Sequence, residues 1–222
     1  HRRFGEQEPI NNFSCISDHA TGEVHVLFCN NYARVFAMKS TDDCLTFSEP
    51  VDVTSVFETF RESFLWRVIA VGPGHSIQLA NGRLLAAVWM SDGSSGEFGN
   101  KPGHRPSEVA VVYSDDHGDS WHAGDFVVRN TVQSRNPSES PMVQLSDGRV
   151  LCISRSESHK HRRLISISDD GVSHWSEPKF DDSLLDPICC GSIVATAEGI
   201  AFSNPDILEL SLIHISEPTR QE

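Results

Sequence analysis

The sequence is short of the residues that mark many enzymes and membrane proteins. Among 222 residues only two are tyrosine, Tyr32 and Tyr113, and three are methionine. The longest apolar run, Leu84 to Met90, is far below the ~20 residues a membrane-spanning helix requires. The six cysteines, Cys15, Cys29, Cys44, Cys152, Cys189 and Cys190, form no Cys-x-x-Cys pair. That removes the usual spacing of a zinc or dithiol redox centre. Most of them sit in apolar, strand-like stretches and read as small core residues. No Gly-x-Ser-x-Gly elbow or phosphate-cradling glycine loop occurs, so neither a hydrolase triad nor a nucleotide site has support. Basic residues number 18 against 31 acidic ones, for a net charge of −13. This balance speaks against nucleic acid or an anionic membrane as partner, and any anion site must be built from local arginines. No long segment carries a helical period; residues 55–66 are the best candidate for a short helix or irregular connection.

What the chain does have is a repeat. Ser114-Asp115-Asp116-His117-Gly118-Asp119-Ser120-Trp121 reads S-x-D-x-G-x-S-W. Ser40 to Phe47 repeats it with Cys44 for Gly and Phe47 for Trp, and Ser168 to Trp175 keeps Ser, Asp and Trp. Each copy follows a short alternating strand (34–39, 109–113, 164–167) and precedes another extended stretch (47–53, 122–128, 175–180), so the motif is a turn between strands. Its Asp and Ser side chains are suited to bonding turn backbone, and its aromatic residue to packing between sheets. Alternating acidic ligands are missing, so a calcium loop is not expected.

Upstream of each motif lies a hairpin with a glycine turn: 14–28 around Thr21-Gly22, 75–89 around Asn81-Gly82, and 142–154 around Asp147-Gly148. Such turns between apolar runs are strong hairpin signals. A fourth hairpin, 191–203, turns at Glu198-Gly199. The unit is thus four antiparallel strands, present about three and a half times. The expected fold class is all-β, a partial β-propeller, because the helical crossovers of a parallel α/β fold are missing.

These segments resemble the Asp-box (BNR-repeat) exo-α-sialidases. Val71-Gly72-Pro73-Gly74-His75-Ser76-Ile77-Gln78-Leu79 is similar to that family's GPGH-x-IQL strand. Ser138-Glu139-Ser140 with Val143 to Arg149 is similar to its N-E-S/C-Q…L-x-D-G-R segment, and Trp175 to Pro178, Leu185 to Cys189 and Phe202 to Pro205 also match. The likeness runs from about Asn11 to Asp206. It implies a six-bladed propeller that releases terminal sialic acid, or a related acidic sugar, with retention. The implied machinery is three arginines on the substrate carboxylate, an Asp acid/base, and a Tyr nucleophile activated by a Glu. No cofactor is implied. The partner is a sialylated or other acidic-sugar glycoconjugate. Two rival readings stand beside this one: a non-catalytic Asp-box propeller that binds carbohydrate or protein, and an unrelated propeller enzyme.

The turn at Asp147-Gly148 puts Glu139 opposite Arg155 at the open end of its hairpin. The same counting puts Gly74 opposite Trp89, His75 opposite Val88, and Asn12 near Asn30. By the resemblance, Glu139 is the base for the Tyr, the catalytic assignment in this chain. Arg155, in the place of the second arginine, binds the sugar carboxylate, a task its planar fork suits. Asn12 and His75 are expected as further substrate contacts, although Phe13 stands where the family has Pro. Read without the resemblance, Glu139 and Arg155 are a cross-strand ion pair. The Gly/Ser-rich run 91–103 is either a substrate-facing loop or a plain surface loop. The cluster His159-Lys160-His161-Arg162-Arg163 is expected as a solvated connection, with no metal site.

Leu210 to Arg220 resembles the translation of a transposase adapter used in sequencing libraries. Residues 1–209 are therefore read as the partial propeller and 210–222 as foreign to the fold. The chain begins at His1 without a signal-like segment and reads as an internal piece of a longer protein. Compartment stays open, with a secreted or periplasmic one compatible and Asn12-Phe13-Ser14 a short glycosylation sequon. The acid/base Asp, the nucleophilic Tyr and the other two arginines are expected outside this chain. The fragment alone is therefore expected to be inactive and poorly soluble.

Overall fold

The structure, a computed structural model, describes residues 9–208. The adapter-like tail lies outside the described residues. Three antiparallel sheets follow one another along the chain, and a hairpin comes after them. The first holds β1 (Ile10–Ser17), β2 (Val24–Asn30), β3 (Arg34–Ser40) and the two-residue β4 (Val51–Asp52), in the order β4-β3-β2-β1. A 3-10 helix at Thr54–Glu62 then leads to the second sheet. That sheet holds β5 (Val68–Val71), β7 (Ile77–Gln78), β8 (Leu84–Ser91), β9 (Ser107–Ser114) and β10 (His122–Val128), while β6 (Gly74–His75) belongs to the first. The third is β11 (Met142–Gln144), β12 (Val150–Ser154), β13 (Arg162–Ser168) and β14 (Lys179–Leu185), and the hairpin is β15 (Ser192–Thr196) with β16 (Gly199–Ser203). The all-β expectation and the repeat of four-stranded units are present in this order. The sheets form no closed barrel among the described residues.

All eight residues of β8 are buried. Successive side chains of a strand point to opposite faces, so Leu84, Ala86, Val88 and Met90 pack toward the first sheet. Leu85, Ala87 and Trp89 pack toward the third. A continuous apolar run is what a strand covered on both faces requires. Each fully buried Leu or Val contributes ~1.5–3 kcal/mol.

The repeated motif is a hydrogen-bonded turn. Asp116 accepts from the Ser114 hydroxyl at 2.8 Å, from the Ser120 N–H at 2.9 Å and from the Ser120 hydroxyl at 2.6 Å. Asp42 makes the same bonds with Ser40 and Thr46, and Asp170 with Ser168 and Ser173. Trp121 packs in the core shared with the first sheet and Trp175 against the core shared with the second. Each aromatic thus covers the sheet before its own. Phe47 departs from the expected packing between sheets: it is 42 % exposed, because no described sheet precedes its own.

Two further expectations are corrected. The strand after the first motif is only Val51–Asp52, and the one after the third starts at Lys179, not Trp175. Ser48 and Ser176 do pair with the preceding strand, donating to the carbonyls of Lys39 and Ile167. Pro50 and Pro178 then follow, and proline has no N–H to continue a ladder. Nor do Gly74 and His75 face Trp89 and Val88; those two pair with Ala70 and Val71. Pairing with β8 resumes at Ile77 opposite Leu85. The segment between leaves the sheet, and Gly74 and His75 instead run parallel to Ser14 and Cys15 of β1. This joins the first two sheets edge to edge.

Candidate active site

The motif turns and the pocket lie at opposite ends of the sheets. On β9, Ser114 opens the Asp turn, while Ser107 at the other end lines a cavity of about 680 Å³. Asn12, Tyr32, Trp89, Glu97, Phe98, His104, Arg105, Asn136, Glu139, Arg155 and Glu157 also line it.

Glu139 and Arg155 meet as the hairpin register requires. Met142 pairs with Cys152, and beyond them the Arg155 N–H donates to the Glu139 carbonyl at 3.1 Å. The Ser138 N–H donates to the Arg155 carbonyl at 3.1 Å. The Arg155 guanidinium forms an ion pair with the Glu139 carboxylate and donates to the Ser138 hydroxyl at 3.1 Å. That hydroxyl in turn donates to Glu139 at 2.7 Å. Both side chains are at least four-fifths covered. Burial alone would raise the Glu139 carboxyl; Arg155 and Ser138 outweigh it and hold it below the usual range. The group is an ionised carboxylate at neutral pH, able to accept a proton.

Asn12 also reaches the cavity. Its backbone is left-handed, at φ 52°, and the β1–β2 register shifts between Asn11 and Ser14. It therefore sits on a bulge, not opposite Asn30, which pairs with Ile10. His75 is not among the cavity's lining residues. It is exposed on β6, 3.4 Å from the Ser192 hydroxyl.

Several lining residues carry no signal in the sequence. Loop 92–106 supplies Glu97, Phe98, His104 and Arg105. Arg105 donates to both oxygens of Glu157, at 2.8 and 2.7 Å, and pairs with Glu97. Glu157 also accepts from Asn136 Nδ2 at 2.8 Å and lies 4.0 Å from Arg155. His104 stands among three aromatic rings, with centroids 4.6 Å from Tyr32, 5.3 Å from Trp89 and 4.8 Å from Phe98. Burial lowers its pKa against the opposing pull of Glu139, so it is a neutral imidazole at pH 7. Only the Gly/Ser-rich composition of 91–103 hinted at this loop. The contacts of Glu97 and Arg105 with one another and with Glu157 are made by folding. The basic cluster differs from expectation as well. Arg163 is fully buried, because β13 turns it inward toward Asp186, 3.4 Å away. Lys160 lies over the Phe180 ring at 4.5 Å.

A hydrogen-bonded Asp turn repeated on successive antiparallel sheets, with a concave Glu–Arg site at the far end, defines a repeat protein of the Asp-box class. The model of the BNR repeat-like domain matches residues 14–206. The chain belongs to the BNR-repeat sialidase family. Sialidase-3 of Rattus norvegicus is 28% identical over 186 residues, covering 83% of this chain and 43% of the relative. The sialidase of Micromonospora viridifaciens is 31% identical over 153 residues, covering 63% and 21%. The chain thus spans less than half the length of these relatives. Among solved structures, Hadza microbial sialidase Hz136 superposes with a TM-score of 0.72 at 20% identity, over 91% of this chain and 41% of that one. Trypanosoma rangeli sialidase in complex with sialic acid gives 0.63 at 15% identity, over 90% and 34%. These two share the fold.

Proposed function

We propose that this chain is part of a six-bladed propeller of a retaining exo-α-sialidase. Its substrate is a glycoconjugate ending in sialic acid or a related acidic sugar. The observation that carries this reading is the largely buried Glu139–Arg155 pair in the wall of a concave cavity. In the proposed mechanism Arg155 binds the sugar carboxylate through its planar fork. Glu139, ionised at neutral pH, draws the proton from a tyrosine nucleophile. A neutral phenol approaches an anionic sugar without the repulsion a carboxylate would meet, but at a pKa near 10 it needs an adjacent base. Asn12 adds a polar contact from its bulge. His75 lies outside the cavity, and its proposed part is to hold the segment whose Pro73 and Gly74 line it.

The 222-residue chain alone is proposed to be inactive. Tyr113 stands at the motif end of β9, and Tyr32, although it lines the cavity, is packed against Trp89 and His104. The test is hydrolysis of a fluorogenic α-sialoside. The chain is expected to release no fluorophore; turnover abolished by Tyr32→Phe would instead make Tyr32 the nucleophile. In the longer gene product, Glu139→Gln is expected to lower kcat by ~10²–10⁴, and Arg155→Ala to act mainly on KM. A product with full activity in both variants would overturn the reading.

One observation favours the rival, a propeller that binds carbohydrate without cleaving it. The cavity gathers three carboxylates, Glu97, Glu139 and Glu157, against two guanidinium groups, Arg105 and Arg155. A neutral glycan suits that balance better than an anion does. Binding of lactose in preference to free sialic acid by this chain would support it.

A further inference from the structure

The buried Arg163–Asp186 pair stands directly behind the strand end that carries Arg155. Both side chains are fully buried. Asp186 Oδ2 accepts from the Ser156 N–H at 2.7 Å, and Oδ1 accepts from the Ile188 N–H at 3.0 Å. Ser156 is the residue after Arg155. The backbone at Arg155 is therefore held from two sides, by Ser138 and Glu139 in front and by Asp186 behind. Arg163 also donates to the Cys189 carbonyl at 2.6 Å and is bonded to Asn204 Oδ1. Asn204 Nδ2 donates in turn to the Leu185 carbonyl at 2.7 Å. The network thus locks the third sheet to the last hairpin behind the cavity.

The charges matter as much as the bonds. An ionised carboxylate without a cation is costly to bury, and two guanidinium groups lie within electrostatic reach of Asp186. Arg163 exerts the stronger pull and Arg155 a weaker one. Arg155 has a choice of carboxylates, Glu139 and, 4.0 Å away, Glu157 on the cavity wall, and Asp186 behind.

We propose that Asp186 and Arg163 act together as positioning residues for Arg155. Asp186 fixes the backbone of the strand end, and Arg163 neutralises Asp186 so that the Arg155 guanidinium stays aimed at Glu139 and the cavity. The functional meaning rests on the sialidase reading of Arg155, but the geometry can be tested without any sugar.

The experiment is NMR on the 222-residue chain. It reads the Arg155 Nε–Hε cross-peak, assigned by its loss in Arg155→Lys, and the titration of the Glu139 carboxyl carbon. Arg163→Met leaves Asp186 unneutralised. It is expected to shift the Arg155 cross-peak and to raise the Glu139 titration midpoint. Adding Asp186→Asn to Arg163→Met removes the competing charge and is expected to restore both signals. Restoration is the outcome a merely structural role does not produce. An unchanged Arg155 cross-peak in a folded Arg163→Met chain overturns the proposal, as does failure of the folded double variant to restore it. Should Arg163→Met not fold, Arg163→Lys keeps the charge and is expected to retain the wild-type signals; their loss in a folded Lys variant overturns it equally. A sialoside assay that fails leaves these outcomes untouched, and the reverse holds too.

Discussion

Glu139 and Arg155 are joined twice, by a main-chain hydrogen bond of 3.1 Å and by a side-chain ion pair, at the open end of one hairpin. The carboxylate is held ionised by the cation it faces. Arg155→Ala removes that cation and the hydrogen bond. The Glu139 midpoint, now below its usual value, is expected to rise, since the Arg155 cation is gone and chiefly Ser138 is left to oppose burial. The loss of stability is expected at ~1–3 kcal/mol, discounted from the fully buried case for the partial exposure of both groups. Carboxyl-carbon titration by NMR and chemical denaturation check the two halves of this prediction. A midpoint that stays depressed would show that Ser138 alone sustains the ionised form.

The Asp turns predict a specific acid response. Hydrogen bonds from Ser120, hydroxyl and N–H, hold the Asp116 carboxyl at about 2. Burial works the other way at Asp170, but the N–H groups of Ser173 and Val172 outweigh it and also hold it at about 2. In the unfolded chain a carboxyl of this type titrates near ~3.9. A folded value below the unfolded one gives stability that is complete above about pH 4 and disappears as pH falls toward about 2. Thermal melts of the wild-type chain should therefore fall across that window. In the Asp116→Asn, Asp170→Asn double variant the slope there should be shallower, with a lower melting temperature at neutral pH.

Gly171 is where an added methyl has nowhere to go. Its φ is +73°, and a Cβ would come within 2.8 Å of Leu85 Cδ2 and 2.9 Å of Val150 Cγ2. Both neighbours belong to the core between the second and third sheets. Gly171→Ala is expected to cost about 2–4 kcal/mol, combining left-handed strain with overpacking. Gly148→Ala, at φ +93° with open space around it, should cost only the strain, ~1 kcal/mol. Equal losses by urea denaturation would refute the packing account.

Asp18 ties the first two sheets on the side away from the cavity. It is fully buried and accepts from Gln78 Nε2 at 2.8 Å and from the Ala20 N–H at 2.9 Å. It is also bonded to His117 Nδ1 at 2.6 Å. Asp18→Ala strands these donors and should destabilise by about 2–4 kcal/mol. Gln78→Ala, which removes one partner, should cost ~1 kcal/mol. Differential scanning calorimetry of the two variants checks the ranking.

The local parts of this molecule were the readable ones. A turn such as Asp147-Gly148 fixes strand register within a few residues, so the opposition of Glu139 and Arg155 could be counted from it. The same counting failed for Gly74 and His75. Five residues, 72–76, stand opposite only Ala86 and Ala87 of β8, and the chain leaves one sheet there to join another. No local rule marks that departure. Arg163 looked like one more surface cation in a basic run, and only the placement of Asp186 explains its burial. Glu97, His104 and Arg105 belong to a loop whose shape depends on contacts with residues more than fifty positions away, such as Glu157.

Trp121 closes the core of the first sheet and Trp175 leans into that of the second, so each of these two sheets is finished by an aromatic delivered from its successor. Such an arrangement behaves like a row of roof tiles, each lapping the one below. Division of the polypeptide at any boundary between sheets would strip the upstream half of its cover while leaving its hydrogen-bonded ladder intact. Limited proteolysis after a nick should consequently advance from the cut toward the N-terminus, one sheet at a time.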